Sequence, residues 1–293
     1  GNSGITQFSF DVTLSAATDV GLTVDYATAA GSATAGSDYT TISATALNFT
    51  GTAGESKTVV VDVAGDAVAE TDETFSVNLS GLQANGRNVT LGTNGTGTIQ
   101  NDDTAGVQID ELGSVSVAEG AITDTYSVVL TSQPTMPVSI TVSPDGQLDV
   151  GAGAGTALTL IFGTADWYTP QVITVTAVDD AVAEGLHSGT ITHAASSSDT
   201  TYDGIGMTPS ASVVAAVTDN DSAGVIINES GGGTAVAEDG ATDSYTAVLT
   251  SRPVLPVDLQ ITPDGQLDLG AGPGTGITRN FDAANRDPPQ TIT

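Results

Sequence analysis

Apolar and polar residues alternate in short runs along most of this chain. Thr58-Val-Val-Val-Asp-Val63 and Val172-Ile-Thr-Val-Thr-Ala-Val178 both read with a period of two. That period predicts strands with one buried face. In the first hundred residues the same pattern predicts strands over 6–14, 21–27, 46–50, 57–63, 74–79 and 95–100, the fifth placing Phe75, Val77 and Leu79 on one face. Gly, Asp, Asn and Pro punctuate the runs, and no stretch holds helical spacing with caps. About seven short strands per 100–120 residues predict an all-β fold of tandem immunoglobulin-like sandwiches. The missing crossover helices exclude a parallel α/β architecture.

The pattern repeats. Pro144-Asp-Gly-Gln-Leu-Asp149 recurs intact as Pro263-Asp-Gly-Gln-Leu-Asp268, Ala105-Gly-Val107 as Ala223-Gly-Val225, and Asn101-Asp-Asp103 matches Asp219-Asn-Asp221. Self-similarity at this spacing divides the chain into units of residues 1–103, 104–221 and 222–293. The first is expected to lack its opening strand. The third is expected to stop before its own acidic turn, so that the chain is a window on a longer array.

One pentapeptide organises the units. Asp-Ala-Val-Ala-Glu stands at Asp66–Glu70 and again at Asp180–Glu184, each time just after a predicted strand. The first copy runs on to Asp72-Glu73, so four acids fall within eight residues at a strand end. Carboxylates crowded in this way repel unless a cation sits among them, and a hard ion with oxygen ligands, calcium above all, suits such a set.

Charge supports an ionic partner. Asp plus Glu number 35 against five Lys plus Arg, a formal charge of −30. The three units carry 12, 14 and 9 acids against 2, 0 and 3 bases, so acidity is spread along the whole chain. Binding to nucleic acid or an anionic membrane is disfavoured. No cysteine is present, which removes disulfides and thiolate metal sites. No apolar run is long enough to insert in a membrane, and no signal peptide is visible in this window.

The first unit resembles a Calx-β domain. The residues carrying this are Val24-Asp-Tyr-Ala-Thr28, Gly31 to Tyr39, Leu47-Asn-Phe49, Gly54 to Thr58, Gly65 to Phe75, and Gly97 to Asp103. The second and third units resemble a divergent relative. They lack Gly-Ser-Asp-Tyr, and Leu186-His187 stands where the first unit has Asp72-Glu73. The resemblance implies Ca2+ at one end of each sandwich. Its implied ligands are Asp38, Asp66, Glu70, Glu73, Asp102 and Asp103 in the first unit, and Glu119, Asp180, Glu184, Asp219 and Asp221 in the second. Asp149 is the stand-in for Asp38, and in the third unit only Glu238 and Asp268 remain. Fewer acids in the second unit imply fewer ions or weaker binding.

Other chemistry is weaker. Asp219-Asn-Asp221 opens like an EF-hand loop, but the ligand positions fail and a strand follows. The glycine runs Gly151–Gly155 and Gly270–Gly274 are expected to be flexible loops. His187 and His193 lie on one strand face, with no third metal ligand evident in the sequence. No nucleophile elbow and no thiol is present, so the chain is expected not to be an enzyme. Trp167 is expected to lie on the surface or to anchor a loop. The resulting expectation is a non-catalytic, calcium-stiffened repeat region of a secreted or cell-surface bacterial adhesin or matrix protein. Its partners would be neighbouring repeats, other copies of itself, or a surface or matrix ligand. Alternatives are a subunit of an extracellular filament or sheath, joined by domain contacts or strand exchange, and an accessory module of a larger secreted enzyme.

Overall fold

The computed structural model describes residues 1–238 and 240–293. The alternation becomes strands that bury every second side chain. In the first unit these are β1 (Ile5–Thr13), β2 (Leu22–Ala30), β3 (Thr45–Phe49), β4 (Ser56–Ala64), β5 (Glu73–Gln83) and β6 (Gly95–Ile99). Strand β4 turns Val59, Val61 and Val63 inward and Ser56, Thr58 and Val60 outward. It pairs with β1, Phe8 opposite Val61 and Phe10 opposite Val59. The second sheet has the order β3-β2-β5-β6. Between the sheets Phe8, Phe10 and Phe75 meet edge to face or tilted, and Tyr39 stacks on Phe75 at 4.9 Å. Such pairs add to the area they bury. Six strands form here among the described residues, in the places where the alternation puts them.

The second unit is a fuller sandwich. Its strands are β7 (Val107–Asp110), β8 (Ser116–Ala118), β9 (Thr123–Leu130), β10 (Val138–Pro144), β11 (Leu148–Asp149), β12 (Leu158–Phe162), β13 (Gln171–Ala177), β14 (His187–Ser197), β15 (Met207–Thr208) and β16 (Ser212–Thr218). They make two five-stranded sheets, β12-β10-β14-β16-β8 and β11-β13-β9-β7-β15. The opening stretch divides between them: β8 lies parallel to β16 and β7 parallel to β15. In the first unit the corresponding strand β6 is a sheet edge. One contiguous core joins the two faces, with Tyr126, Phe162, Ile140 and Ile191 fully buried. Trp167 is partly buried against its margin, beside Tyr168.

The third unit contains β17 (Val225–Glu229), β18 (Tyr245–Leu249), β19 (Val257–Ile261), β20 (Ile277–Phe281) and β21 (Gln290–Ile292). They form a β17-β18-β21 sheet and a β19-β20 pair around Ala247, Phe281 and Ile292. The chain is not wholly without helical turns: Ser230–Gly232 forms one turn of 3-10 helix, with Gly231 at a φ of 67°. Among the described residues no helix is long and apolar enough to cross a membrane.

Successive units touch through the acidic turns. Gln133 N–H donates to the carbonyl of Ala67 at 2.7 Å, and Val68 bridges Gln133. Arg252 N–H donates to the carbonyl of Ala181 at 2.5 Å, which repeats the arrangement one unit on. Thr131 and Thr250 close the two joints alike, each donating its hydroxyl to a carbonyl of the connecting segment, Thr104 and Ser222 respectively.

Candidate metal centres

Each acidic turn links a strand of one sheet to the first residue of a strand in the other. In the first unit the turn runs from Ala64, the end of β4, to Glu73, the start of β5. Asp66 accepts the N–H of Val68 at 2.8 Å, and Asp180 accepts that of Val182 at 2.6 Å. This Asx turn explains why an aspartate opens both pentapeptides.

The first centre collects acids from three segments, the loop of Asp38, the turn from Asp66 to Glu73, and Asp102-Asp103. Asp38, Asp66, Glu70, Glu73, Asp102 and Asp103 all line one cavity of about 250 Å3 at the end of the sandwich. Carboxylate oxygens of Asp38, Asp66 and Glu70 lie within 4.8 Å of one another. Asp38 is buried, and its carboxylate is held by the N–H of Thr34. The crowding shows in the proton affinities. Burial, a hydrogen bond to Asp38 and the charges of Asp38, Glu70 and Asp66 push Glu73 up to about 7. Burial, then Asp66 and Asp38, raise Glu70, and burial, then Asp102 and Asp66, raise Asp103. Groups that hold protons so tightly for want of a counter-charge are what a dication releases.

The second centre is built on the same scaffold with different donors. Glu119, Asp219 and Asp221 form one close group, and Glu119, Glu184 and His187 another. Asp180 falls in neither close group, but after burial and Asp219 its charge raises the proton affinity of Glu119. Asp219 accepts the N–H groups of Glu184 and Gly185 at 2.6 Å and of Asp221 at 2.7 Å, which holds its carboxyl below the usual range. Glu119 is 4% exposed, and its Oε2 has no hydrogen-bond partner; neither has the buried Oδ2 of Asp221. A buried, unpartnered carboxylate oxygen is costly unless a cation answers it, so both donor sets fit a metal ion.

The counterpart of Asp38 is Gln147, not Asp149. The carbonyl of Asp38 accepts the N–H of Ala64 at 2.9 Å, and that of Gln147 accepts Val178 at 2.9 Å. Tyr39 then bridges Val63, and Leu148 pairs with Ala177. Asp149 anchors a loop instead, accepting Gly151 and Gly153 N–H at 2.7 and 3.0 Å. Asp268 does the same for Gly270 and Gly272. These loops are therefore pinned turns: Gly151 and Gly153 sit at φ of 98° and 106°, where a side chain would be strained. Glu238 of the third unit is exposed and, among the described residues, joins no such group.

His187 does have further ligands at hand, Glu119 and Glu184, brought to it by the fold. His193, six residues along β14, is buried elsewhere: its Nε2 lies 2.8 Å from the hydroxyl of Tyr126. Strand parity put both on one face, but they serve separate sites.

Residues 2–105 match the family model of the Calx-beta domain. No curated protein matches the chain. A solved structure described as the calcium binding domain CBD12 of CALX1.1 is 20% identical, with a TM-score of 0.34, and the alignment covers 66% of this chain and 76% of that one. For CBD12 from CALX1.2 the identity is 16%, the TM-score 0.34 and the coverage 72% and 93%. For the apo form of the Calx CBD1 domain they are 19%, 0.30, and 39% and 98%.

Proposed function

We propose, from the premise that residues 2–105 are a Calx-beta domain, that this chain is a calcium-binding, non-catalytic repeat region of a secreted or cell-surface bacterial protein. Calcium stiffens the sandwiches and their joints, as the stalk of an adhesin or matrix protein requires. One observation carries the reading. The turn holding Asp66 and Glu70 also hydrogen-bonds the next unit, through Ala67 and Gln133. An ion gathered by those acids therefore fixes the segment that sets the joint. Carboxylates from several loops supply the six to eight oxygens at flexible geometry that calcium takes and the tight octahedron of magnesium does not.

Small-angle scattering of the chain at physiological salt, with calcium and with chelator, tests this. The reading requires a narrower distance distribution with calcium, and requires Asp102→Asn with Asp103→Asn to reduce the difference. Identical scattering in both conditions would overturn it.

A further inference from the structure

The two centres share a scaffold but not a chemistry. Where the first places the acid pair Asp38 and Glu73, the second places Gln147 and His187, each of Glu73 and His187 being the first residue of its strand. The second centre thus contains a nitrogen donor that the first lacks.

That nitrogen is set up as a ligand. His187 Nδ1 lies 3.0 Å from the carbonyl of Gly185. A carbonyl only accepts, so Nδ1 carries the proton and Nε2 presents its lone pair. The same backbone anchoring orients metal-binding histidines in general. Nε2 faces Glu184 Oε2 at 3.5 Å, and an oxygen of Glu119 lies within 4.8 Å of both ligand residues. An edge of about 3.4 Å is what two ligands at about 2.1 Å from a tetrahedral ion subtend. The amide of Gln147 now donates to both Glu184 Oε2 at 2.8 Å and His187 Nε2 at 3.1 Å. A neutral amide donor is thus held between two Lewis bases. The independent sign of a ligand is Glu119, buried with Oε2 unpartnered and with a carboxylate oxygen within 4.8 Å of the ligand atoms of Glu184 and His187.

We propose that the second unit binds a first-row transition-metal dication of the zinc class through His187 Nε2, Glu184 and Glu119. Calcium, which takes oxygen ligands, gains nothing from an imidazole, whereas zinc-class ions favour it. The ion displaces the Gln147 amide from between the two ligands. The proposal rests on the reading of this end of the sandwich as a cation site, and it separates the two units by ion.

The chain has only two histidines, His187 and His193, so side-chain 15N NMR of the full chain gives a direct readout with an internal control. Zinc at stoichiometric concentration should move the Nε2 resonance of His187 and leave that of His193, bonded to Tyr126, in place. Calcium should leave that of His193 in place and move that of His187 far less than zinc does. Zinc affinity by isothermal titration should fall at least about tenfold in His187→Gln, a typical loss for a perturbed metal site, while calcium affinity changes by about twofold or less. An unmoved His187 resonance in the unaltered protein would overturn the proposal without any variant. So would an equal zinc-induced movement in Glu119→Gln and in Glu184→Gln, which would mean adventitious binding to a surface histidine only. The calcium arm is separate: no calcium binding anywhere would sink the stalk reading and leave the histidine readout standing.

Discussion

Gln147 occupies in the second unit the place that Asp38 holds in the first. Each follows a loop, and each offers its carbonyl to the end of the neighbouring strand, to Ala64 at the close of β4 and to Val178 just past β13, at 2.9 Å in both. The exchange removes one negative charge from the second centre. Restoring it should strengthen calcium binding there. A unit charge about 4 Å from the ion is worth about 1–4 kcal/mol between bulk water and a protein surface. Gln147→Asp is therefore expected to raise calcium affinity at least about fivefold by isothermal titration, with the first unit unchanged. An unchanged second-unit affinity would show that Gln147 does not face the ion.

Removing acids from the first centre should act oppositely. Glu70→Gln and Asp66→Asn are each expected to weaken calcium about tenfold or more, because affinity follows the charge count of the ligands. Asp19→Asn is the control. Asp19 pairs with Arg87 at 2.6 Å, outside the acidic cavity. Its calcium isotherm should match that of the unaltered chain.

Calcium should raise the melting temperature of the first unit. An ion bound only by the folded state adds about 2.7 kcal/mol at a hundredfold excess over Kd. Calorimetry with calcium and with chelator checks this, and coincident transitions would mean the acids are merely solvated.

The pH dependence should reverse with the ion. Glu73 is pushed up to about 7, from an ordinary value of 4.5. Between those values the folded state holds a proton that the unfolded chain has lost, so stability falls as pH rises. With chelator, the first unit should melt lower at pH 7.5 than at pH 5. With calcium, protons compete for the same oxygens, and the order should invert. Urea melts at both pH values give the answer, and the same slope with and without calcium would refute the linkage.

Tyr126 and His193 form a buried pair inside the second sandwich. His193 Nδ1 faces the carbonyl of Ala211 at 3.1 Å, so Nε2 accepts the Tyr126 hydroxyl at 2.8 Å. Tyr126→Phe leaves a buried acceptor unpaired, a loss of about 1–3 kcal/mol in urea melts. Burial holds the proton affinity of His193 below its ordinary value. The unfolded state then binds the proton better, so stability is full above about pH 6.5 and declines as pH falls below it. His193→Phe should flatten that decline.

What the sequence determined was whatever depends on local periodicity and chain order. Alternation in Thr58–Val63 decided which valines of β4 face the core, because side chains on a strand change face at each residue. The repeated pentapeptide located the acidic turns, since an Asx turn needs only an aspartate and the N–H two residues on. All six acids read from the first unit line one cavity, and the resemblance behind them covered that whole unit.

Tertiary structure decided what depends on pairing across the chain. The loop before β11 differs from the one before Tyr39, so motif spacing pointed to Asp149, whereas strand register brought Gln147 to the site. His187 and His193 share a face by parity, yet six residues of extended strand span about 20 Å. One therefore meets Glu119 and Glu184 and the other Tyr126. Glu119 itself reaches the centre because β8 lies parallel to β16, where the N–H of Glu119 donates to the carbonyl of Thr218 at 3.0 Å. Hydrophobic patterning specifies the face a residue takes, but only the register of distant strands specifies its neighbour.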